Sequence, residues 1–129
     1  MILDSTFLVD LESETRKGTA GKATEFLNRH LDEPLRVTFT IAGELAAGDS
    51  LGQDHRLWLE FLRPFEILSS SKEVAWRFGT IYQELKENGT MIGANDLWIA
   101  ATALAYAESL VTRNDEQFRR VKGLRVISY

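Results

Sequence analysis

The amino-acid sequence predicts an α/β domain built on a mainly parallel sheet. Short apolar or β-branched runs alternate with longer segments of helical periodicity, and this alternation is typical of parallel strands joined by helices. Helix stop signals such as Asn88-Gly89 separate the two kinds of segment. No repeat, low-complexity tract or linker divides the 129 residues, so we expect one domain over residues 1–129.

Five segments have the composition of short strands. Each is rich in Leu, Ile, Val or Phe and is bounded by polar or turn-forming residues. In chain order they are residues 1–4, 35–39, 65–68, 110–112 and 125–128. Because helical segments separate most of them, we expect a small sheet covered by helices.

Six segments have helical periodicity or helix caps. In chain order they lie near residues 7–11, at 22–31 before Pro34, from Thr40 to near Gly48, at 55–65 with a stop at Pro64, from a Ser70–Glu73 capping box to Asn88-Gly89, and at 97–107 after a capping Asn95. The last segment is apolar on almost every side, so we expect it to be buried at the centre of the domain.

Composition excludes several classes of protein. The chain has no cysteine, so it forms neither a disulfide nor a thiolate zinc site, which fits a reducing compartment. No apolar run approaches the ~20 residues that span a bilayer, and acidic residues interrupt the amino terminus early. We therefore expect a soluble, cytoplasmic protein with no membrane partner. The net charge of −4 argues mildly against nucleic-acid binding by bulk electrostatics.

Four acidic residues lie where the chain passes between a predicted strand and a predicted helix. They are Asp4, Glu44, Asp96 and Asp115. Strand carboxyl ends and helix amino ends lie along the same edge of a parallel sheet, so these side chains are able to converge. Converging carboxylates repel one another unless a divalent cation neutralises them. The pattern predicts a metal site.

Each of these acidic residues also has a purely local explanation. Asp4 is able to cap the helix after it, Asp96 suits the dipole of its helix, and Glu44 is a possible solvated helix residue. Asp115, next to Asn114, has ordinary turn chemistry. The metal site is favoured because the local explanations require four coincidences.

Four motifs around the acidic residues follow one another along essentially the whole chain. They are Ile2-Leu3-Asp4-Ser5-Thr6, Thr40-Ile41-Ala42-Gly43-Glu44-Leu45, residues 93–101 and residues 110–118. Together they resemble the motifs of PIN-domain ribonucleases, in that family's order and spacing, and look most like VapC-type toxins of bacterial toxin–antitoxin pairs. The resemblance implies a PIN-like three-layer fold, with a central, mainly parallel sheet of about five short strands flanked by helices.

The resemblance also implies roles for individual residues. Asp4, Glu44 and Asp96 match the family's three most characteristic acidic positions. Asp115 is our choice for the fourth, because Gln117 occupies the alternative position. The implied site holds Mg²⁺ or Mn²⁺ on Asp4 and Asp96, while Glu44 and Asp115 bind a second ion or orient water. The supporting residues are Ser5, Thr6, Thr112 and Asn114, and the candidate RNA contacts are Arg113, Arg119 and Arg120.

The implied function is hydrolysis of RNA by a metal-dependent endoribonuclease, a homodimer that a cognate antitoxin inhibits. The stripe Trp58, Phe61 and Leu62 is either core or a contact surface for the antitoxin or the second subunit. Two alternatives stay open. A phosphatase with an aspartyl nucleophile would favour Asp-x-Asp at the first strand end, and Asp4-Ser5-Thr6 lacks the second acid. The other alternative is a catalytically silent PIN fold that acts as a binding module.

Overall fold

A five-stranded sheet forms the centre of the protein in the computed structural model, which describes all residues, Met1–Tyr129. Every pair of neighbouring strands is parallel, and the strand order is β3-β2-β1-β4-β5. The strands are β1 (Ile2–Leu3), β2 (Arg36–Thr38), β3 (Glu66–Leu68), β4 (Leu110–Val111) and β5 (Val126–Ile127). The predicted α/β fold, with five short parallel strands flanked by helices, is confirmed.

Seven helices and one 3₁₀ turn, Leu51–Gln53, connect the strands. The helices are α1 (Ser5–Lys17), α2 (Lys22–Asn28), α3 (Phe39–Ala46), α4 (His55–Leu62), α5 (Lys72–Asn88), α6 (Ala94–Ala105) and α7 (Asp115–Phe118). None of them is long and apolar enough to cross a membrane. Helix α5 ends at Asn88 as predicted, because Gly89 takes a left-handed backbone conformation with φ of 66°.

The predicted start of α3 is wrong by two residues. Thr38, rather than Thr40, caps the helix, and its hydroxyl oxygen accepts a hydrogen bond from the amide of Ile41 at 3.0 Å. Thr38 is fully buried at the end of β2, so the strand passes into the helix without a loop. As a result Glu44 lies in the second turn of α3 rather than the first.

Two further helix starts differ from the prediction. Ser71, rather than Ser70, caps α5, and its hydroxyl oxygen accepts a hydrogen bond from the amide of Val74 at 3.2 Å. Gly93 precedes α6, so Asn95 lies inside the first turn instead of capping it. Adjacent polar residues offer the same capping chemistry, and the direction in which the chain approaches the helix decides between them.

Helix α6 is the most buried helix, as predicted from its apolar composition. Its small residues Ala100, Ala101 and Ala103 are fully buried, which allows close approach to the elements around it. The 27 buried hydrophobic residues of the protein form one continuous cluster that includes α6 and the strands. The rigid placement of α6 fixes the position of Asp96 in its first turn.

Ion pairs hold the amino ends of the strands. The amino group of Met1 lies 2.8 Å from Glu108 Oε2, and Arg36 Nε donates to Glu66 Oε2 at 2.7 Å. The guanidinium of Arg36 also pairs with Glu108. The positive and negative groups at this edge therefore compensate one another, whereas acidic side chains gather at the opposite edge.

Replacing Thr38 with valine tests the cap of α3. Valine has nearly the same shape but no hydroxyl, so the amide of Ile41 loses its acceptor in a buried position. We expect the free energy of unfolding to fall by about 1–2 kcal/mol. Urea denaturation should show a lower midpoint at unchanged slope.

A matched control for that substitution is Thr80→Val. The Thr80 hydroxyl donates to the Trp76 carbonyl on the exposed face of α5 and caps no helix end. We expect the free energy of unfolding to change by less than about 0.5 kcal/mol. Equal urea midpoints for the two variants would contradict the assignment of Thr38 as a stabilising cap.

Candidate active site

The order of the strands creates a crevice at the carboxyl ends of β1 and β4. From β1 the chain extends outward to β2 and β3 on one side and later returns to build β4 and β5 on the other. Ligand sites of parallel α/β sheets lie at such a reversal. Asp4 directly follows β1, and Thr112 directly follows β4, so both lie at this crevice.

Asp4 is held in one orientation by two hydroxyl groups. The side chain is only 3% exposed, and its Oδ2 accepts hydrogen bonds from Thr112 Oγ1 at 2.7 Å and from Thr6 Oγ1 at 3.2 Å. Asp4 occupies the cap position of α1, yet its side chain makes no capping hydrogen bond. The local explanation of Asp4 as a helix cap is therefore wrong. Both hydroxyls bind the same oxygen, which leaves Oδ1 without a protein donor.

Glu44 and Asp96 are electrostatic neighbours of Asp4. Burial raises the pKa of Glu44, and the charges of Asp4 and Asp96 raise it further. The pKa of Asp96 is raised by burial and by the charge of Asp4. Each shift means that the charged form of the carboxylate is disfavoured in the absence of a cation. The structure thus brings three of the four predicted acidic residues together.

One oxygen of Glu44 has no hydrogen-bond partner. Glu44 Oε1 is buried, and although Ser5 and Asn95 lie beside the carboxylate and oppose its pKa rise, neither completes a hydrogen bond to this atom. A buried acceptor without a donor costs roughly 1–3 kcal/mol. Such an atom is typical of a site that a ligand completes.

The donor set suits a hard divalent cation, since carboxylate oxygens are the ligands that Mg²⁺ and Mn²⁺ prefer. The free oxygen of Asp4 and the unpaired Oε1 of Glu44 are suitable ligand atoms for such a cation. The side chains are not a ready-made coordination sphere, because no three Asp, Glu, His or Cys residues are arranged to hold a metal ion. The carboxylates are therefore suitable ligands for a cation by their chemical type, although their side chains are not arranged in a coordination geometry.

Asp115 makes its side-chain hydrogen bonds with other partners. It opens α7, and its Oδ2 accepts hydrogen bonds from Arg119 Nε at 3.2 Å and from Ser128 Oγ at 3.0 Å. These contacts, with Arg119 first, lower the pKa of Asp115. Asp115 contributes to neither of the raised pKa values of Glu44 and Asp96. Its carboxylate is committed to partners of its own.

Backbone amides of the turn after β4 bind the two hydroxyl groups that contact Asp4. The amide of Arg113 donates to Thr6 Oγ1 at 3.2 Å, and the amide of Asn114 donates to Thr112 Oγ1 at 2.9 Å. Each hydroxyl therefore accepts from the backbone and donates its own proton to Asp4. The supporting residues Thr6 and Thr112 act on Asp4, and Asn114 acts through its backbone.

The three arginines that we expected near RNA all have acceptors within the protein. Arg113 binds Asp10, Arg119 binds Asp115, and Arg120 Nη1 donates to the Met91 carbonyl at 3.2 Å. The side chains of Arg113 and Arg119 are 62% and 57% exposed. Only one nitrogen of each guanidinium is used in these contacts, so the others are free to bind phosphate oxygens.

Two contacts at this edge have no local signal in the sequence. Tyr129 donates its hydroxyl proton to Asp10 Oδ2 at 2.6 Å across 119 residues, and Ser128 binds Asp115. The spacing of Thr6 and Asp10, four residues apart on α1, does indicate that both face the same neighbour. It does not identify that neighbour.

Replacing Asp96 with asparagine should stabilise the metal-free protein. The raised pKa of Asp96 means that the folded state binds its proton more tightly than the unfolded chain does. Its favourable contribution is complete below the ordinary pKa and is lost as the pH rises through the raised pKa. At neutral pH the variant should therefore melt about 2–4 °C above the original protein.

Thermal melts in EDTA across the acid to neutral range check this expectation. The difference in melting temperature between Asp96→Asn and the original protein should grow as the pH rises. A difference that is the same at every pH would contradict the assigned repulsion.

Comparison with known proteins places this geometry in a family. The sequence matches the PIN domain over residues 1–124. It is 31% identical over 119 residues to ribonuclease VapC1 of Methanocaldococcus jannaschii, which covers 89% of this chain and 88% of the relative. A shorter match, 39% identical over 64 residues, covers 50% of this chain and 48% of ribonuclease VapC2 of Rickettsia felis.

A solved structure has the same fold. The structure of VapBC-1 from nontypeable Haemophilus influenzae superposes with a TM-score of 0.82 at 22% sequence identity, covering 98% of this chain and 96% of that chain. An identity this low supports the shared fold alone. The family match over nearly the whole chain, the VapC relative and the acidic edge of the sheet agree with one another. The chain therefore belongs to the PIN-domain family and, within it, to the VapC group.

Proposed function

We propose that this chain is a VapC-like, metal-dependent endoribonuclease that hydrolyses RNA phosphodiester bonds in the cytoplasm. The observation that carries the proposal is the coupled group of Asp4, Glu44 and Asp96, in which one buried oxygen of Glu44 lacks a donor. The raised pKa values of Glu44 and Asp96 mean that placing these two charges beside Asp4 is unfavourable for stability. Such a group is typical of a functional site.

Asp4 and Asp96 would hold Mg²⁺ or Mn²⁺, and Glu44 would complete the site. Bound there, the ion supplies a water of lowered pKa and neutralises charge on the phosphate. Thr6 and Thr112 keep Asp4 in a single orientation by holding its Oδ2. This preorganisation lowers the cost of assembling the site, because the Asp4 side chain does not need to be ordered at the time of binding.

Glu44 is the carboxylate best suited to orient water and to accept a proton. Burial and the neighbouring charges raise its pKa, so it holds a proton more readily than an exposed glutamate does. No donor competes for its Oε1. We therefore assign the Glu44 carboxylate to the water that attacks the phosphodiester, with Ser5 and Asn95 beside it.

RNA would reach this acidic crevice with the help of Arg113, Arg119 and Arg120. The chain carries a net charge of −4, so the RNA backbone is attracted only where basic side chains cluster. Arg113 follows Thr112 in the turn after β4, and Arg119 comes at the end of α7. Each of these two guanidiniums uses one nitrogen for its present acceptor, so the others are free to bind phosphate.

A cognate antitoxin would cover the groove that leads away from Glu44. A cavity of about 480 Å³ runs between α1 and α3, with Ser5 and Glu44 among its lining residues. It shares Arg16 and Leu51 with a second cavity of about 450 Å³, which is lined by Leu57 and Phe61. An elongated partner segment would fit this course and would set a basic side chain against the carboxylates.

The stripe Trp58, Phe61 and Leu62, expected to be either core or a contact surface, packs mainly against the core. Leu62 is only 4% exposed and belongs to the core, and the Trp58 indole donates to the Ala42 carbonyl. Leu57 and Leu59 are instead the exposed apolar residues of α4. We assign Leu57 to the antitoxin, together with Phe61, because both line the second cavity. The homodimer is carried over from the VapC resemblance.

Cleavage of total RNA by the purified, antitoxin-free protein tests the proposed activity. With Mg²⁺ or Mn²⁺ we expect discrete fragments, and EDTA should abolish them. Asp4→Asn and Asp96→Asn should each lower the cleavage rate by at least about 100-fold, because each removes a charge that would hold the ion. Both variants should remain folded by circular dichroism.

Intact RNA under every condition, with folded protein, would contradict the nuclease assignment. It would favour the catalytically silent PIN fold, an alternative that the lack of a preformed three-residue metal group keeps open. Thr80→Val, on the exposed face of α5, is the control that should cut RNA at the original rate.

The variant Asp115→Asn tests whether Asp115 binds the metal ion directly or orients the turn and its waters. Arg119 and Ser128 both hold Oδ2 of Asp115, and the charges that raise the pKa values of Glu44 and Asp96 come from other residues. We therefore propose that Asp115 orients the turn and its waters, and we expect a loss of roughly 10-fold in cleavage, well below the loss in Asp4→Asn. Equal losses in the two variants, measured at saturating Mn²⁺, would show that Asp115 acts as a direct ligand.

A further inference from the structure

Asp10 links three distant segments at the carboxyl edge of the sheet. It lies on α1, and its two carboxylate oxygens each accept a hydrogen bond from Arg113 Nη1 at 2.9 Å. Its Oδ2 also accepts the hydroxyl proton of Tyr129 at 2.6 Å. The partners are 103 and 119 residues away along the chain. One side chain therefore joins α1, the turn after β4 and the segment after β5.

This arrangement differs from the other arginine–carboxylate pairs on the helices. Those pairs join residues three or four apart on one helix: Arg16–Glu12, Arg63–Glu60, Arg77–Glu73 and Arg119–Asp115. Pairs of that kind stabilise a single helix by a few tenths of a kcal/mol. The Asp10 pair instead determines how α1 lies against a turn that is remote in sequence.

Tyr129 anchors this link to the hydrophobic core. Its ring packs edge-on against the fully buried Phe7, with a centroid distance of 4.8 Å and an interplanar angle of 77°. Burial and the contact with Asp10 raise the pKa of Tyr129, so its hydroxyl remains a neutral donor at physiological pH. The Asp10 carboxylate is thus held between an exposed guanidinium and a partly buried phenol.

The link reaches Asp4 through two hydroxyl groups. Arg113, which Asp10 holds by its side chain, donates its backbone amide to Thr6 Oγ1, and the next amide, of Asn114, donates to Thr112 Oγ1. An amide that occupies the acceptor side of a hydroxyl directs the hydroxyl proton elsewhere. Here Thr112 donates to Asp4 Oδ2 at 2.7 Å, and the Thr6 hydroxyl lies within hydrogen-bond distance of both Asp4 Oδ2 and Thr112 Oγ1.

We propose that Asp10 is a positioning residue for the carboxylate site. By holding Arg113 and Tyr129 it fixes the turn after β4, so that Thr6 and Thr112 keep Asp4 oriented for the ion. Asp10 needs no contact with RNA or metal in this role. The inference rests on the proposed metal-dependent function, and it assigns Arg113 a structural partner in addition to any phosphate contact.

The test compares Asp10→Asn and Tyr129→Phe with a matched control, Glu73→Gln. Glu73 binds Arg77 at 2.9 Å in an ion pair on α5 that reaches no other element. Hydrogen exchange of the Arg113 and Asn114 amides, followed by NMR in EDTA, reports the order of the turn without metal. Calorimetric titration with Mn²⁺ reports the affinity of the site without RNA.

We expect Asp10→Asn to lower the protection of both amides roughly 10-fold and to weaken Mn²⁺ binding by about 10–100-fold. Tyr129→Phe keeps the ring against Phe7 and should move both quantities in the same direction by less. Glu73→Gln should match the original protein. Unchanged amide protection and Mn²⁺ affinity in Asp10→Asn, with RNA binding weakened or not, would overturn the proposal.

The two measurements separate this inference from the proposed function. If the original protein fails to bind Mn²⁺, the metal-dependent function fails. Amide exchange needs no metal, so loss of protection in Asp10→Asn then still supports the positioning of the turn, and retained protection overturns it. If Asp10→Asn does not fold by near-UV circular dichroism, Tyr129→Phe carries both measurements.

Discussion

Mutual repulsion among three carboxylates is the constraint on which the rest of this structure depends. Asp4, Glu44 and Asp96 come from three different elements, and their burial and charges raise the pKa values of Glu44 and Asp96. The fold forces them together because β1 lies at the centre of the sheet, while α3 and α6 begin near the same edge. The stabilisation from core packing must therefore offset the destabilisation caused by repulsion among the carboxylates. Functional sites commonly reduce the stability of a protein in this way.

The structure compensates this penalty in part. Asp4 receives two hydroxyl protons on one oxygen, and Asp96 lies in the first turn of α6, where the helix dipole favours a negative charge. Glu44 Oε1 is left without such help. A bound cation would interact with the free oxygens of Asp4 and Glu44 and would remove the repulsion among the three carboxylates. The ion pairs of Arg36 and Met1 keep the opposite edge of the sheet free of any similar conflict.

Sequence patterns predicted the five strands and the buried helix α6 because their signals are local. A short apolar run between turn-forming residues is a strand whatever lies beside it, and an all-apolar helix has to be buried. Helix starts were predicted less well. Thr38 and Thr40, or Ser70 and Ser71, have the same capping chemistry, and only the path of the preceding strand or turn selects one of each pair.

The sequence by itself determined that acidic residues end or follow strands in a parallel α/β domain, and hence that Asp4, Glu44 and Asp96 are able to meet. This follows from alternation along the chain and from the geometry of parallel sheets. Tertiary structure alone decided that Asp115 binds Ser128, that Thr112 binds Asp4, and that Asp10 binds Arg113 and Tyr129. Three of these contacts join residues 103 to 119 positions apart, and no local pattern encodes which distant side chain will fill a given hydrogen bond.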